Sequence, residues 1–309
     1  MVNKMKTKVS VEIGKLKLNN PVMVASGTFG YAEEFRDFMD LKKLGAIVTK
    51  TITLKPRQGN SPPRTCETPA GMLNSIGLEN PGLEIFIKDK LPFLKRIGVP
   101  IIISVASEES PGEFPELVER LNKIEEVAAI ELNISCPNIK GKKNLIAQDP
   151  EATYKIVQEA RRLTSKALIT KLSPNVTSIG DIAKSAQDAG SDAVALINTL
   201  GGMSIDVDRR RPKIAAGIAG LSGPAIRPVA VKMVWEVFNQ VKIPIIGMGG
   251  IMDTSSALEF FIAGASAVSI GTANFINPAI SVEIISGLKN YLVKNKISGI
   301  RELIGSLKV

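Results

Sequence analysis

The feature that most constrains this chain is a strand-then-helix rhythm repeated eight times between Val22 and Lys294. Short apolar runs rich in β-branched residues read as strands buried on both faces: Val22 to Ala25, Ala46 to Thr49, Ile101 to Val105, Ala129 to Ile134, Leu168 to Leu172, Ala193 to Ile197, Ile243 to Met248 and Ala267 to Ile270. Stretches of helical period separate them: Glu33 to Lys43, Leu83 to Arg96, Phe114 to Lys123, Pro150 to Thr164, Ile179 to Ala189, Ala225 to Gln240 and Ser255 to Ala263, with a last helix from Ala279 to Lys294. This alternation predicts an α/β fold closed as a (β/α)8 TIM barrel, with a doubly wound open sheet as the alternative. An alternating pair, Val9 to Ile13 and Lys15 to Leu18 turned by Gly14, predicts an N-terminal β-hairpin that plugs one end of the barrel. No composition break marks a linker, so residues 1–309 read as one domain. Two connections, Thr51 to Pro81 and Leu200 to Pro224, are too long for plain βα loops. They read as binding walls on the barrel's C-terminal face, with tolerated insertion as the bland alternative.

Composition removes several function classes. No apolar run approaches the roughly 18 to 20 residues that span a bilayer, and the opening Met1-Val2-Asn3-Lys4 leads into alternating residues rather than a secretory apolar stretch. We therefore expect a soluble, cytoplasmic protein with no membrane partner. The chain has no histidine and two cysteines, Cys66 and Cys136, so common zinc sites and a four-cysteine iron-sulfur cluster cannot be built from it alone. We expect no metal site, an all-oxygen magnesium or calcium site being the alternative for which the sequence gives no signal. The net charge of +9 is spread along the chain without interleaved aromatics, which favours a solvated lysine-rich surface over nucleic-acid binding. The dense run Lys140-Gly141-Lys142-Lys143 reads as loop chemistry, or as an attractor for an acidic partner.

Chemistry in such a barrel gathers at the strands' C-terminal ends. Here those positions are Ser26-Gly27, Lys50-Thr51, Ser104, Asn133 with Cys136, Lys171, Asn198-Thr199, Gly249-Gly250 and Gly271-Thr272. Each alone is an ordinary cap or turn residue; together they describe a polar mouth. The glycines after the last two strands let backbone N–H groups approach a phosphate, whereas no Gly-x-Gly-x-x-Gly follows the first strand and no Walker A sequence is present. Lys50 and Lys171 end strands otherwise too apolar for a charge. They either escape to the rim or point inward toward a ligand carboxylate or an electron-rich ring. Asn74, Asn133, Asn138 and Asn198 suit a planar ligand with imide groups. Cys136 lies in the polar run Asn133-Ile134-Ser135-Cys136-Pro137-Asn138, and we read it as a proton-abstracting thiol, its ordinary pKa of about 8.5 open to lowering by the lysines. Cysteines are more often inert core residues, and Cys66, in Arg64-Thr65-Cys66-Glu67, is read as structural.

These residues resemble the class 1 dihydroorotate dehydrogenases over nearly the whole chain. The marks are Asn133 to Asn138, Gly71-Met72-Leu73-Asn74-Ser75-Ile76-Gly77-Leu78-Glu79-Asn80-Pro81-Gly82, Lys171-Leu172-Ser173-Pro174-Asn175 and Ile197-Asn198-Thr199. The resemblance implies FMN-dependent oxidation of dihydroorotate to orotate in pyrimidine biosynthesis. Cys136 would be the base that removes the C5 proton while the C6 hydride passes to N5 of FMN. It implies FMN contacts from Ser26, Lys50, Thr51, Ser104, Asn133, Lys171, Ile197, Gly223, Gly249, Gly250, Gly271 and Thr272, and substrate contacts from Lys50, Asn74, Ser75, Ile76, Gly77, Leu78, Asn133, Asn138, Asn198 and Thr199. Ser104 departs from the family, which usually has asparagine there, so that contact would be shorter or water-bridged. The stretch Thr53 to Asn60 and the Asn133 to Asn138 wording are more similar to the NAD-linked type 1B branch than to the fumarate-reducing type 1A branch. Type 1B implies a homodimer of this chain flanked by two partner subunits that carry FAD and a [2Fe-2S] cluster. A tRNA-modifying flavin reductase and a phosphate-binding barrel without redox chemistry are the alternatives. Ile139 to Asn144 is expected to continue a loop that closes over the site.

Overall fold

A computed structural model describes residues 7–107, 110–135 and 146–308. The hairpin strands β1 (Val11–Ile13) and β2 (Leu16–Leu18) come first. Eight parallel strands then close into a barrel: β3 (Val22–Val24), β4 (Ala46–Val48), β7 (Ile101–Val105), β8 (Val127–Asn133), β9 (Ala167–Lys171), β10 (Ala193–Leu196), β15 (Ile245–Gly247) and β16 (Ala267–Ile270). Their order around the barrel is their order in the chain, and β16 returns to pair with β3. Closure removes every sheet edge, which rules out the open doubly wound alternative. All five residues of β7 and of β9 are buried, as the unbroken apolar runs require.

The helices that cover the barrel are α1 (Gly82–Ile85) and α2 (Leu91–Ile97), joined by a π-helical turn over Phe86–Lys90, then α3 (Glu113–Asn122), α4 (Pro150–Leu163), α5 (Ile179–Asp188), α6 (Arg227–Phe238), α7 (Thr254–Ala263), α8 (Ala273–Ile276) and α9 (Ile280–Lys294). Their starts follow from local chemistry. Asp149 precedes Pro150 and accepts from the N–H groups of Glu151 and Ala152 at 2.9 and 3.3 Å, while Ser178 caps α5 through Asp181 N–H. No helix among the described residues is long and apolar enough to cross a membrane.

One expected helix is absent. Residues 33 to 43 form two 3-10 turns, Glu33–Phe35 and Leu41–Lys43, rather than a continuous helix. Ala32 enters with φ of 70°, and the Asp40 side chain takes the Lys42 N–H at 3.1 Å, starting a second turn where a single helix would need that residue mid-run. The helical period of the apolar residues survives in the packing, but short aspartates compete for the backbone.

The hairpin lies at the N-terminal end of the strands. Lys15 Nζ donates to the Ser165 carbonyl at 3.1 Å, just before β9, and a Cβ on Gly14 would stand 2.6 Å from Asp192 Cβ, just before β10. Gly14, at φ 56°, therefore permits a close approach that a side chain would block. Asp192 in turn joins Arg161 at 2.7 Å and accepts from Leu168 N–H at 2.9 Å, tying α4 to the starts of two strands.

The two long connections do not run as separate loops. Residues 51–81 supply β5 (Thr65–Thr68) and β6 (Gly71–Asn74), and residues 200–224 supply β11 (Leu200–Gly202) and β14 (Ala219–Ser222), besides a small ribbon of β12 (Ile205–Asp206) and β13 (Arg211–Pro212). The first four pair antiparallel in the order β11-β14-β6-β5, a sheet built jointly by both connections. Leu73, Ile214 and Ala219 form its own small core, with Cys66 and Leu221 packed against it. Gly71 and Gly223 mark the crossing of the two backbones. A Cβ at Gly71 would meet the Ser222 carbonyl oxygen at 2.0 Å, and one at Gly223 the Gly71 Cα at 2.7 Å.

Asp253 caps α7 in a reciprocal box: its Oδ1 accepts from Ser256 N–H at 2.7 Å, and Ser256 Oγ accepts from Asp253 N–H at 2.9 Å. The Ser256 backbone hydrogen bond holds the Asp253 carboxyl below the usual carboxylate range. The folded state thus favours the carboxylate, so its stabilisation is complete above the unfolded pKa of about 3.9 and fades as pH falls through the lower folded value. Asp253→Ala is expected to lower stability by about 1 kcal/mol in urea unfolding at pH 7. The gap between variant and wild type should narrow in acid.

Candidate active site

At the C-terminal end of the barrel a cleft with about 1000 Å³ of empty space, its mouth included, runs from the ends of β15 and β16 to the joint antiparallel sheet. Eleven of the residues expected at the site line it: Lys171, Ile197, Gly223, Gly249, Gly250, Gly271 and Thr272 from the cofactor set, and Asn74, Ile76, Asn198 and Thr199 from the substrate set. Apolar lining comes from Met72, Ile226, Met248, Ile251 and Phe275, which suits a flat, largely apolar ligand carrying a few polar groups.

One end of this cleft is built of backbone. Gly223, Gly249 and Gly250 have φ of 94°, 127° and 72°, the left-handed region open to glycine. Among the described residues, the N–H groups of Gly249, Gly250, Gly271 and Thr272 have no protein acceptor. Such free backbone donors at the ends of neighbouring strands are the kind of group that anion sites are built from. A Cβ on Gly250 would press on the Gly223 carbonyl oxygen at 2.8 Å, so this glycine keeps the two loops in contact. Thr272 Oγ1 donates to Ser222 Oγ at 2.8 Å and anchors the end of β16 to β14.

The other end is a chain of side-chain hydrogen bonds across strand ends. Thr51 Oγ1 and Ser104 Oγ stand 2.9 Å apart, and Asn133 Nδ2 donates to Thr51 Oγ1 at 3.2 Å. Ser135 Oγ then donates to Asn133 Oδ1 at 2.8 Å and accepts from Asn198 Nδ2 at 2.5 Å, while Asn198 Oδ1 accepts from Thr199 N–H at 2.8 Å. Thr51, Ser104, Asn133 and Ser135 are buried, so these bonds remove polar groups from an apolar surrounding. Lys171 is buried as well, and its Nζ donates to Ser26 Oγ at 3.1 Å, across the barrel from β9 to the end of β3. It points inward, as one of the two readings of its sequence position required.

The other expected residues have different settings. Ser26, Thr51, Ser104 and Asn133 sit behind the cleft wall and reach it through Lys171 and Asn198. Lys50 is half-buried and its N–H donates to the Gly30 carbonyl at 2.8 Å, but its side chain has no protein partner among the described residues. Ser75, Gly77 and Leu78 form the turn beyond β6. Asn60 braces it by donating to Ser75 Oγ at 2.7 Å, and Gly77 at φ 74° packs on Asn60. Cys136 and Asn138 lie outside the described residues, as does the expected loop from 139 to 144.

Sequence reasoning passed over Ser135, Ser222 and Asn175 as site residues. Ser135 follows Asn133 by two positions at a strand end, and that period alone would have placed both on one side. Asn175 Nδ2 donates to the Thr199 carbonyl at 3.1 Å and its Oδ1 accepts from Gly201 N–H at 2.9 Å, bracing the turn that carries Asn198. Ser222 gave no local signal, since its position depends on the pairing of two distant connections.

The family described as dihydroorotate dehydrogenase matches residues 8–292. The chain is similar to the protein named dihydroorotate dehydrogenase B (NAD(+)), catalytic subunit, of Geotalea uraniireducens, with 52% identity over 98% of this chain and 99% of that one. The protein of the same name from Trichlorobacter lovleyi is 53% identical over 98% of this chain and 100% of its own length. Its counterpart from Thermoanaerobacter pseudethanolicus is 52% identical over 97% and 99%.

Thr51→Val keeps the shape of a buried residue and strips two hydrogen bonds at once, leaving Ser104 Oγ and Asn133 Nδ2 without that partner. The expected cost is about 1 to 3 kcal/mol in urea unfolding of the ligand-free chain. Adding Ser104→Ala should cost less than the sum of the single changes, because the two hydroxyls share one bond.

Proposed function

This chain belongs to the dihydroorotate dehydrogenase family, and on that premise we propose that its barrel mouth binds FMN and oxidises dihydroorotate to orotate. The observation that carries the reading is the continuity of the cleft: it joins four acceptor-free backbone N–H groups at one end to Lys171 and Asn198 farther along its wall. A phosphate needs the first, and a ring with imide edges needs the second.

In this reading Gly223, Gly249, Gly250, Gly271 and Thr272 hold the FMN phosphate through backbone donors. Ser26, Lys50, Thr51, Ser104, Asn133, Lys171 and Ile197 orient its ring, with Ser104 acting through Thr51 rather than by the longer reach of an asparagine. Lys50, Asn74, Ser75, Ile76, Gly77, Leu78, Asn133, Asn138, Asn198 and Thr199 hold the substrate carboxylate and ring. Bound FMN supplies the two-electron acceptor for a hydride. The chain's own chemical step is proton removal. Cys136 Sγ, as the thiolate, takes the C5 proton as the C6–H bond is lost, leaving the C5=C6 double bond of orotate. The half-buried Lys50, unpaired among the described residues, supplies a positive charge for the substrate's carboxylate.

The relatives named as catalytic subunits support a further reading, that electrons leave through a second subunit to NAD. We assign FAD and a [2Fe-2S] cluster to that partner, since this chain's two cysteines are too few for a four-cysteine cluster. The assembly is proposed as a homodimer of this chain with two such subunits.

Purified chain should be yellow, and anaerobic dihydroorotate should bleach its flavin absorbance. Cys136→Ala is expected to slow that bleaching at pH 7 by at least about 100-fold, the usual worth of a positioned base. Cys136→Ser should retain a weak activity that climbs with pH, because a hydroxyl yields its proton far less readily than a thiol. A colourless protein, or equal rates for wild type and Cys136→Ala, would sink the reading. Reoxidation of the reduced chain by fumarate in the absence of any second subunit would move it to the fumarate-linked branch.

A further inference from the structure

Among the described Asp, Glu, Lys and Arg side chains, two are buried, Glu131 and Lys171, and they carry opposite charges. They stand on adjacent strands of one barrel. Glu131 of β8 pairs in register with Ile169 of β9, and Asn133 pairs with Lys171, so the carboxylate and the ammonium are diagonal neighbours one step apart. They also share the interior. Asn133 faces inward, since its amide donates to Thr51 Oγ1 beside Ser104, and the two-residue period of a strand turns Glu131 the same way. The register partner of Glu131 on β7 is Ser104, which also faces inward.

Neither charge is fully compensated. Lys171 has one neutral partner, Ser26 Oγ. Glu131 is 2% exposed, and its Oε1 is buried without a hydrogen-bond partner. An isolated buried carboxylate is expelled or takes a proton unless an opposite charge offsets its lost hydration. Here the offsetting charge sits on the next strand, one side-chain layer nearer the mouth.

We propose that Glu131 is a positioning residue for the flavin reaction, the buried counter-charge that offsets the Lys171 ammonium and thereby sets how strongly the barrel mouth favours the reduced, anionic form of the cofactor. The inference rests on the FMN reading above. Lys171 alone would place an uncompensated positive charge beside the cofactor ring and stabilise negative charge there; Glu131, below it, tempers that pull. The pair is held apart by the strand register, so each charge biases the other without cancelling it in a contact ion pair.

The test uses the FMN-loaded chain and two readouts that need no turnover: the flavin midpoint potential and the affinity of sulfite, an anion that adds to the flavin ring. Glu131→Gln should make the potential more positive and tighten sulfite binding, with a change of about tenfold in the oxidation equilibrium, about 30 mV for a two-electron couple. Glu131→Asp, which keeps the charge, should stay near wild type. In a Lys171→Gln background there is no ammonium left for Glu131 to offset, so adding Glu131→Gln should produce a shift well below the one seen with Lys171 present. An unchanged potential in Glu131→Gln, or a full shift that persists without Lys171, overturns the proposal. If neither Glu131 variant folds, the infrared spectrum of wild-type holoenzyme at neutral pH decides: a carboxylate supports the proposal, and a protonated carboxylic C=O band assigned to Glu131 by isotope labelling overturns it. A wild-type chain that binds no FMN refutes the flavin reading itself, and is thus told apart from failure of the Glu131 assignment alone.

Discussion

Closure of the eight-stranded barrel is the constraint on which the rest depends. Parallel strands buried on both faces leave no room for polar side chains along most of their length, and the residues of β7 and β9 show how completely this holds. Polar groups can gather only where strands end, and even there the surroundings are apolar enough that each group needs a partner. The chain of bonds from Ser104 through Thr51, Asn133 and Ser135 to Asn198 meets that need using residues from four different strand ends. Barrel closure thus does two things at once: it buries these polar groups and it fixes their donors and acceptors at the strand ends.

The second structural decision is the pairing of the two long connections. Each alone is a short β-hairpin or an irregular excursion, too small to stand without a neighbour. Joined as β11-β14-β6-β5 they gain a sheet and a small core of their own, and they wall the cleft with Asn74 and Met72 on one strand and Ser222 on another. The glycines at the crossing, Gly71 and Gly223, serve backbone contact between the connections, and Gly250 extends that contact to the rim of the barrel. The glycine-rich end of the cleft and its sheet wall are therefore parts of one construction.

Much of this was legible in the chain because barrel strands announce themselves by unbroken apolar runs, and their C-terminal ends by the polar or glycine residue that follows. That is why Lys171, Asn198, Gly249 and Thr272 could be placed at one mouth from spacing alone. What stayed hidden depends on contacts between distant segments. The joint sheet pairs residues about 150 positions apart, such as Met72 and Ser222, and its strands are short and half-exposed, so neither period nor burial marks them. The missing helix over 33 to 43 failed for the opposite reason, a local competition in which Asp40 captured the Lys42 N–H against a correct apolar period. Ser135 was overlooked because a serine at a strand end looks like a cap until its two partners, Asn133 and Asn198, are brought beside it.

The charge arrangement inside the barrel adds a step to this logic. A fold that buries nearly every strand residue has no evident need for either Glu131 or Lys171, and replacing a buried ionic pair by apolar residues often costs nothing in stability. Their burial is therefore read, with the proposal above, as serving the site rather than the fold. On the proposed reading Lys171, buried at the cleft wall, sets a cation beside an electron-rich ring, and such a cation is useful only to a degree, because a site that binds the reduced form too strongly cannot pass electrons onward. In the proposal made above, the carboxylate one layer below, whose Oε1 is buried without a partner, limits that preference. The same strand register that closes the barrel sets the spacing between the two charges, and so ties the electrostatics of the mouth to the geometry of the fold.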